Sequence, residues 1–294
     1  MFRADVVLSD YPYTAPLKAR DELAGFGLRF HQVTPVFESF GDMIADQRYD
    51  VCELAIGAFL QARDEGRPLW LLPVVLAGGH QHKNLYPTPA RKVGSPGELS
   101  GGRVGVRAYS QTTALWVRAW MAEEYGADLD SITWVVTERS HAPGFTDPDN
   151  VELIDGSLVD ALTSGDVDAA MLGARWRPDG VGPLVADWAE RDASWYAGHG
   201  FVPVNHLVSV SGAFLERHPD AVRAIYCELA AGVDATRAER EAAAPAGRPP
   251  AIRRGVTQVR AAVELAAKYA YDQGMISRPA DDVDALFAFG SELD

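Results

Sequence analysis

The sequence predicts a two-lobed α/β fold in which the second lobe is inserted into the first. Three features carry this expectation. Short apolar runs alternate with helical-period segments over the first third of the chain. A basic passage with Pro87, Pro89 and Pro96 then opens a second alternating stretch. Beyond it, the apolar run at 201–210 has the character of a strand returning to the first lobe. With 294 residues the chain is long enough for two such lobes. Its 47% hydrophobic and 23% charged content is that of an ordinary globular protein.

In the first lobe, residues 6–9 form the first strand pattern, closed by the aromatic-proline turn Asp10-Tyr11-Pro12-Tyr13. A helix follows at 18–25, a strand at 28–33, a helix at 39–46, and a strand at 49–56 that runs into a helix start. Residues 69–76, LWLLPVVL, are a buried strand. Such alternation predicts parallel βαβ units with right-handed crossovers. The second lobe centres on residues 101–126, GGRVGVRAYSQTTALWVRAWMAEEYG. There 103–106 is a short strand, 108–113 a polar turn, and 114–125 a helix. A strand at 131–137, a helix at 157–164 and a strand at 167–173 complete it. The last strand carries Gly173-Ala174-Arg175 at its carboxyl end, where open α/β sheets bind ligands. After the return strand come a helix at 213–237 broken near His218-Pro219, an Ala/Gly/Pro-rich loop at 242–250, and helices at 256–274 and 280–289. The expected division is 1–86 plus 201–294 for the first lobe and 87–200 for the second. Two α/β lobes joined by two crossings, with a hinge and an interlobe cleft, describe the bilobal periplasmic-binding-protein fold.

The formal net charge of −14 argues against a nucleic-acid partner. No apolar run reaches the length needed to span a bilayer, so no membrane partner is expected. The N-terminus enters a strand pattern at once and lacks a secretory signal pattern; a cytoplasmic location is expected. The two cysteines, Cys52 and Cys227, sit in apolar segments and are expected to be buried thiols. A homo-oligomer is compatible with these features.

The turn before the 114–125 helix has the composition of an anion site. Free N–H groups and the positive dipole end of the helix face outward there. Ser110, Gln111, Thr112 and Thr113 supply donors, and Arg107 adds charge; an ordinary hydroxyl N-cap is the alternative. Arg139 and Arg175 follow strands of the same lobe and are candidates for a second clamp on a carboxylate. Arg118, inside the helix, is expected to pair with a carboxylate. His82 is the first candidate acid/base and His206 the second, because they lie at the two crossings and imidazole titrates near neutrality. Glu53 stands in an otherwise apolar strand, VCELAIG, where a carboxylate is costly unless paired or functional. It is expected to orient a histidine or to serve as the acid. Tyr11 follows the first strand and could stack on a planar substrate.

Several phrases carry a family likeness. YDVCELAIGAFLQARDEG at 49–66, LWLLPVVL at 69–76, HKNLY at 82–86, LSGGRVGVRAYSQTTALWVRAWMAEEYG at 99–126 and PVNHLVSVSGAFLERHP at 203–219 keep the order seen in one family. On these the sequence resembles the 4,5-dihydroxyphthalate decarboxylase family. The resemblance implies a type II periplasmic-binding-protein fold, a cytoplasmic carboxy-lyase and a small-molecule carboxylate substrate. The turn at Arg107-Ala108-Tyr109-Ser110-Gln111 and the segment VVTERSHAPGFTDP depart from the family pattern, and point to a substrate other than 4,5-dihydroxyphthalate. Decarboxylation needs a carboxylate clamp, an electron sink and a proton delivered to carbon, and none of these demands a cofactor. No cofactor is therefore expected. The alternative is a divalent metal held by the His80-Gln81-His82 phrase with Glu53 or His206. The competing functions are a solute-binding protein for a small carboxylate, and another proton-transfer enzyme of the same fold.

Overall fold

Parallel strands buried on both faces need apolar runs, and the chain supplies them in two sets. The computed structural model describes residues 2–173, 177–280 and 282–294. In chain order the first set is β1 (Arg3–Val7), α1 (Ala15–Lys18), β2 (Glu22–Leu23), β3 (Phe26–Phe30), α2 (Phe40–Asp46), β4 (Val51–Ala55), α3 (Ile56–Asp64) and β5 (Leu69–Gly78). The second set is β6 (Leu85–Pro87), β7 (Arg103–Val106), α4 (Thr112–Tyr125), β8 (Thr133–Val136), β9 (Val151–Leu153), α5 (Leu158–Ser164), β10 (Ala169–Met171) and α6 (Trp188–His199). The chain then returns through β11 (Val204–Ser211) and ends in α7 (Gly212–Arg217), α8 (Pro219–Ala243) and α9 (Val256–Asp272).

Two sheets result. One has the order β2-β3-β1-β4-β11-β5, the other β6-β10-β7-β8-β9. Val6 and Arg103 thus lie in different sheets. The passage between sheets falls between Gly78 and Leu85, since Leu85 and Tyr86 already pair with Met171 and Ala170. The core strands β3, β1 and β4 are parallel. The return strand β11 is antiparallel to both β4 and β5. It therefore brings its amino end, with Asn205 and His206, to the same edge as the carboxyl ends of β1 and β4.

The apolar residues sort into three layers. One face of the first sheet packs under α8, with Leu72, Val74, Val208, Val222 and Leu229. The other face shares a continuous core with α3, α4, α9 and the second sheet, through Leu54, Phe59, Leu115, Trp134 and Val263. A small cluster including Leu162 and Val167 covers the far face of the second sheet. Among the described residues, no helix is long and apolar enough to cross a membrane.

The helix expected at 18–25 is instead the end of α1 followed by the β2–β3 hairpin, because Gly25 (φ +86°) and Ala24 (φ +48°) turn the chain there. The helix expected at 280–289 is, over the described residues, a single 3-10 turn at Asp284–Leu286, with Phe287 bridged to Leu71. Strand β9 and helix α6 were not legible. Cys52 is buried as expected, but Cys227 is exposed on α8, and both thiols are free. Arg118 has no carboxylate partner among the described residues. Its guanidinium is fully buried, donates to Gln273 Oε1 at 2.7 Å, and lies 4.1 Å over the Tyr109 ring. It joins α4 to the turn after α9.

Gly232 lets α8 lie against the turn that carries Tyr11 and Tyr13, because a Cβ there would overlap the Tyr13 carbonyl oxygen. Gly232→Ala is expected to destabilise the fold by about 1–3 kcal/mol, the usual cost of overpacking. A urea midpoint equal to that of the parent chain would contradict this contact.

Candidate active site

Three elements of the first sheet converge on one carboxylate. Glu53 lies near the end of β4 with its side chain fully buried. It accepts hydrogen bonds from the Ser9 N–H at 2.9 Å, the Tyr11 hydroxyl at 3.1 Å and His206 Nδ1 at 2.6 Å. Burial alone would raise its pKa. The His206 imidazole and the Ser9 backbone outweigh burial and hold the carboxyl below its usual range. Glu53 is therefore ionised at neutral pH and has no proton to offer, so Nδ1 of His206 carries the hydrogen between them. In the neutral ring this leaves Nε2 of His206 as an acceptor. Burial and the Glu53 charge push the Tyr11 phenol upward, so it stays a donor.

The second lobe faces this pair with a helix end and a cation. Helix α4 begins at Thr112 after Gln111, and no side chain caps its first turn. Helix α3 starts directly after β4, and Ala55, the residue before it, provides no cap. The two ends meet where the Gly57 N–H donates to Thr112 Oγ1 at 3.1 Å. A Cβ on Gly57 would stand 2.9 Å from the Ser110 carbonyl oxygen, so only glycine permits this approach. Between them lies an inner chamber of about 80 Å³ walled by Phe37, Phe40, Arg107, Ser110–Thr113, His141, Asn205 and His206. Phe40 sets its ring edge-on to both imidazoles, at 5.6 Å from His206 and 5.7 Å from His141.

His141 was not singled out from the sequence, although the departing phrase VVTERSHAPGFTDP contains it. Its Nε2 is buried without a hydrogen-bond partner. Burial and the neighbouring Arg107 lower its pKa, so the ring is neutral near pH 7. Asn205 was also missed. Its amide donates to Thr113 Oγ1 at 3.1 Å and accepts from Gln81 Nε2 at 3.0 Å, tying both crossings to α4. Gln111 Oε1 is a second buried polar atom without a partner.

The expected residues divide. Glu53, His206, Tyr11, Arg107 and the Ser110, Gln111, Thr112 and Thr113 turn come together around the cleft. Arg107 is shared: it pairs with Glu138 at 2.6 Å and stacks 4.3 Å over Phe37. Arg139 does not join them; it points outward and pairs with Asp147 at 2.6 Å. Arg175 lies outside the described residues. His82 does not face the cleft, which corrects its expected role as acid/base. Its ring is buried with Nδ1 2.8 Å from Asp192 and Nε2 2.9 Å from Glu124, and stacks on Trp120 at 4.9 Å. Both nitrogens are spent on carboxylates, so neither can reach a substrate. The metal alternative meets the same obstacle. His80 is bonded to the Pro249 carbonyl at 3.3 Å, and His82 to two carboxylates away from Glu53 and His206. Among the described residues no group of three metal-ligating side chains assembles.

These features define a bilobal periplasmic-binding-protein fold with a buried Glu53–His206 pair beside its cleft. Solved structures agree on the fold. The aliphatic sulphonate binding protein SsuA of Escherichia coli superposes with a TM-score of 0.60 at 13% identity, over 99% of each chain. The desulfurization enzyme DSZB gives 0.56 at 16% identity, over 98% of this chain and 96% of that one. No protein-family model matches the sequence. Its curated relatives are decarboxylases by name. The 4,5-dihydroxyphthalate decarboxylase of Comamonas testosteroni is 30% identical, over 64% of this chain and 63% of the relative. That of Pseudomonas putida is 32% identical, over 30% of this chain and 34% of the relative. The chain thus spans less than two thirds of each relative's length, and the family resemblance read from its motifs is borne out at this level.

Burial opposes the charge on His82, but hydrogen bonds and attraction from Asp192 and Glu124 prevail and raise its pKa. A raised imidazole stabilises the fold below its ordinary titration range, about pH 6.5, and loses that contribution as pH rises through the raised value. His82→Gln should therefore lose most stability at pH 6, with the gap to the parent narrowing toward pH 9. Urea midpoints that differ equally at both pH values would contradict it.

Proposed function

We propose that this chain is a decarboxylase acting, without a cofactor, on a small hydroxylated aromatic or enolic carboxylic acid. The observation that supports this most is the Glu53–His206 pair opening into the same chamber as the N-terminal ends of α3 and α4. Holding an anion requires only the helix ends and Arg107. A buried carboxylate that fixes an imidazole beside them adds a means of moving protons.

In this proposal the substrate carboxylate rests on the N–H groups of the first turn of α4, with Arg107 alongside. His206 Nε2 takes the proton of the ring or enol hydroxyl, and Glu53 stabilises the imidazolium that forms. The imidazolium returns a proton to the carbon bearing the carboxylate. The C–C bond then breaks, CO₂ leaves, the bonding pair flows back through the ring to the hydroxyl oxygen, and that oxygen takes up a proton from solvent, the one proton the reaction consumes. His141 Nε2 offers a hydrogen bond to substrate oxygens, and Phe37 and Phe40 keep water from the reacting carbon. The name shared by the sequence relatives supports the reaction class.

The test is a panel of hydroxylated aromatic and enolic acids, read by CO₂ release and by calorimetric binding, with EDTA-dialysed protein expected to keep its activity. For an accepted acid, His206→Asn should slow turnover by ~10²–10⁴-fold while binding persists. Arg107→Ala should weaken binding by about tenfold, less than a fully buried clamp because Glu138 shares the guanidinium. Binding without CO₂ from any acid would make the chain a carboxylate-binding protein instead. Turnover unchanged in His206→Asn would remove the imidazole from the chemistry.

A further inference from the structure

The inner chamber opens, past Thr113, Asn205 and His206, into an outer chamber of about 610 Å³. That volume is more than seven times that of the inner chamber, and falls in the range of sites for ligands much larger than a benzoate. Its walls are chemically one-sided. Lys83, Arg240 and Arg248 line it together with His80 and His206, and the described lining holds no carboxylate. This is unusual in a chain of net charge −14. Arg240 lies 5.2 Å over the Tyr13 ring and Lys83 5.9 Å from the Trp188 ring; neither has an ion-pair partner among the described residues. Arg248 is held from behind, with one nitrogen 3.3 Å from Asp192 and its plane 4.6 Å over Trp188, while its buried Nε has no partner. Cations collected in a concave, carboxylate-free wall create a local positive field in an otherwise acidic surface.

We propose that the outer chamber is a second anion subsite, and that the substrate is an acid with an arm ending in phosphate or carboxylate, held by Arg240, Lys83 and Arg248. This rests on the placement of the reacting carboxylate in the inner chamber. The arm would pass His206 and Thr113, so its anchoring would set which ring carbon faces Nε2. Arg240 and Lys83 then determine specificity rather than chemistry.

The test uses para-hydroxybenzoate and three derivatives bearing a flexible arm that ends in phosphate, carboxylate or neutral amide. Affinity is read by calorimetry, apart from turnover, in the parent chain and in an Arg240→Glu/Lys83→Glu variant whose circular dichroism matches the parent. At least one anionic arm should bind about tenfold or more tighter than the amide arm, and the variant should lose that advantage while binding the amide arm as before. The stronger of the phosphate and carboxylate arms identifies the terminal group. An anionic arm that gains nothing over the amide, or gains equally in the variant, overturns the subsite. Neither result depends on CO₂. Anionic-arm binding without turnover keeps the subsite and rejects the decarboxylase reading. CO₂ release without an arm advantage does the reverse.

Discussion

A carboxylate stripped of water must be matched group for group by its neighbours, and Glu53 imposes that condition on the first lobe. The Ser9 N–H and the Tyr11 hydroxyl come from the turn after β1, and His206 Nδ1 from β11. Satisfying all three fixes the turn after β1 against the end of β4. It also fixes the entry of β11, whose antiparallel run delivers His206 opposite Ala55. The same satisfaction fixes a proton. With Glu53 ionised, the neutral form of His206 has one tautomer available, and the residue lines the cleft.

The second constraint is the meeting of two helix ends. Neither preceding residue caps its helix, and Gly57 lets the two turns come within hydrogen-bonding distance, where Thr112 Oγ1 accepts one first-turn N–H of α3. Their positive ends add at one place, beside Arg107. The cleft thus combines a fixed acceptor on one wall with a concentrated positive field on the other. Arg118 and Gln273 lock the two walls behind the cleft through a buried bond between α4 and the turn after α9.

Much of this was legible in the sequence because it is local. The apolar run LWLLPVVL, the strand-turn-helix at 101–126 and the lone charge in VCELAIG are each explained by their own residues. Pairings across the fold were not legible. His82 has the same residue type and crossing position as His206, yet Asp192 and Glu124 enclose it, and both arrive from helices distant in sequence. Arg139 looked like Arg107, but a loop carboxylate eight positions on captured it. His141 stood in a segment without periodicity, so only its departure from the family pattern marked it. Short strands such as β9, with two of its three residues exposed, leave no apolar signature.

The central claim is that Glu53 holds His206 in the tautomer that presents a bare Nε2 to the cleft. Nitrogen-15 NMR of the histidine side chains at neutral pH tests it directly, with His206 assigned from a His206→Asn variant. The expected spectrum has a protonated Nδ1 and an unprotonated Nε2 for His206, with that pattern altered in Glu53→Gln. A His206 ring protonated at Nε2 alone, or one whose tautomer is untouched by Glu53→Gln, would contradict the account.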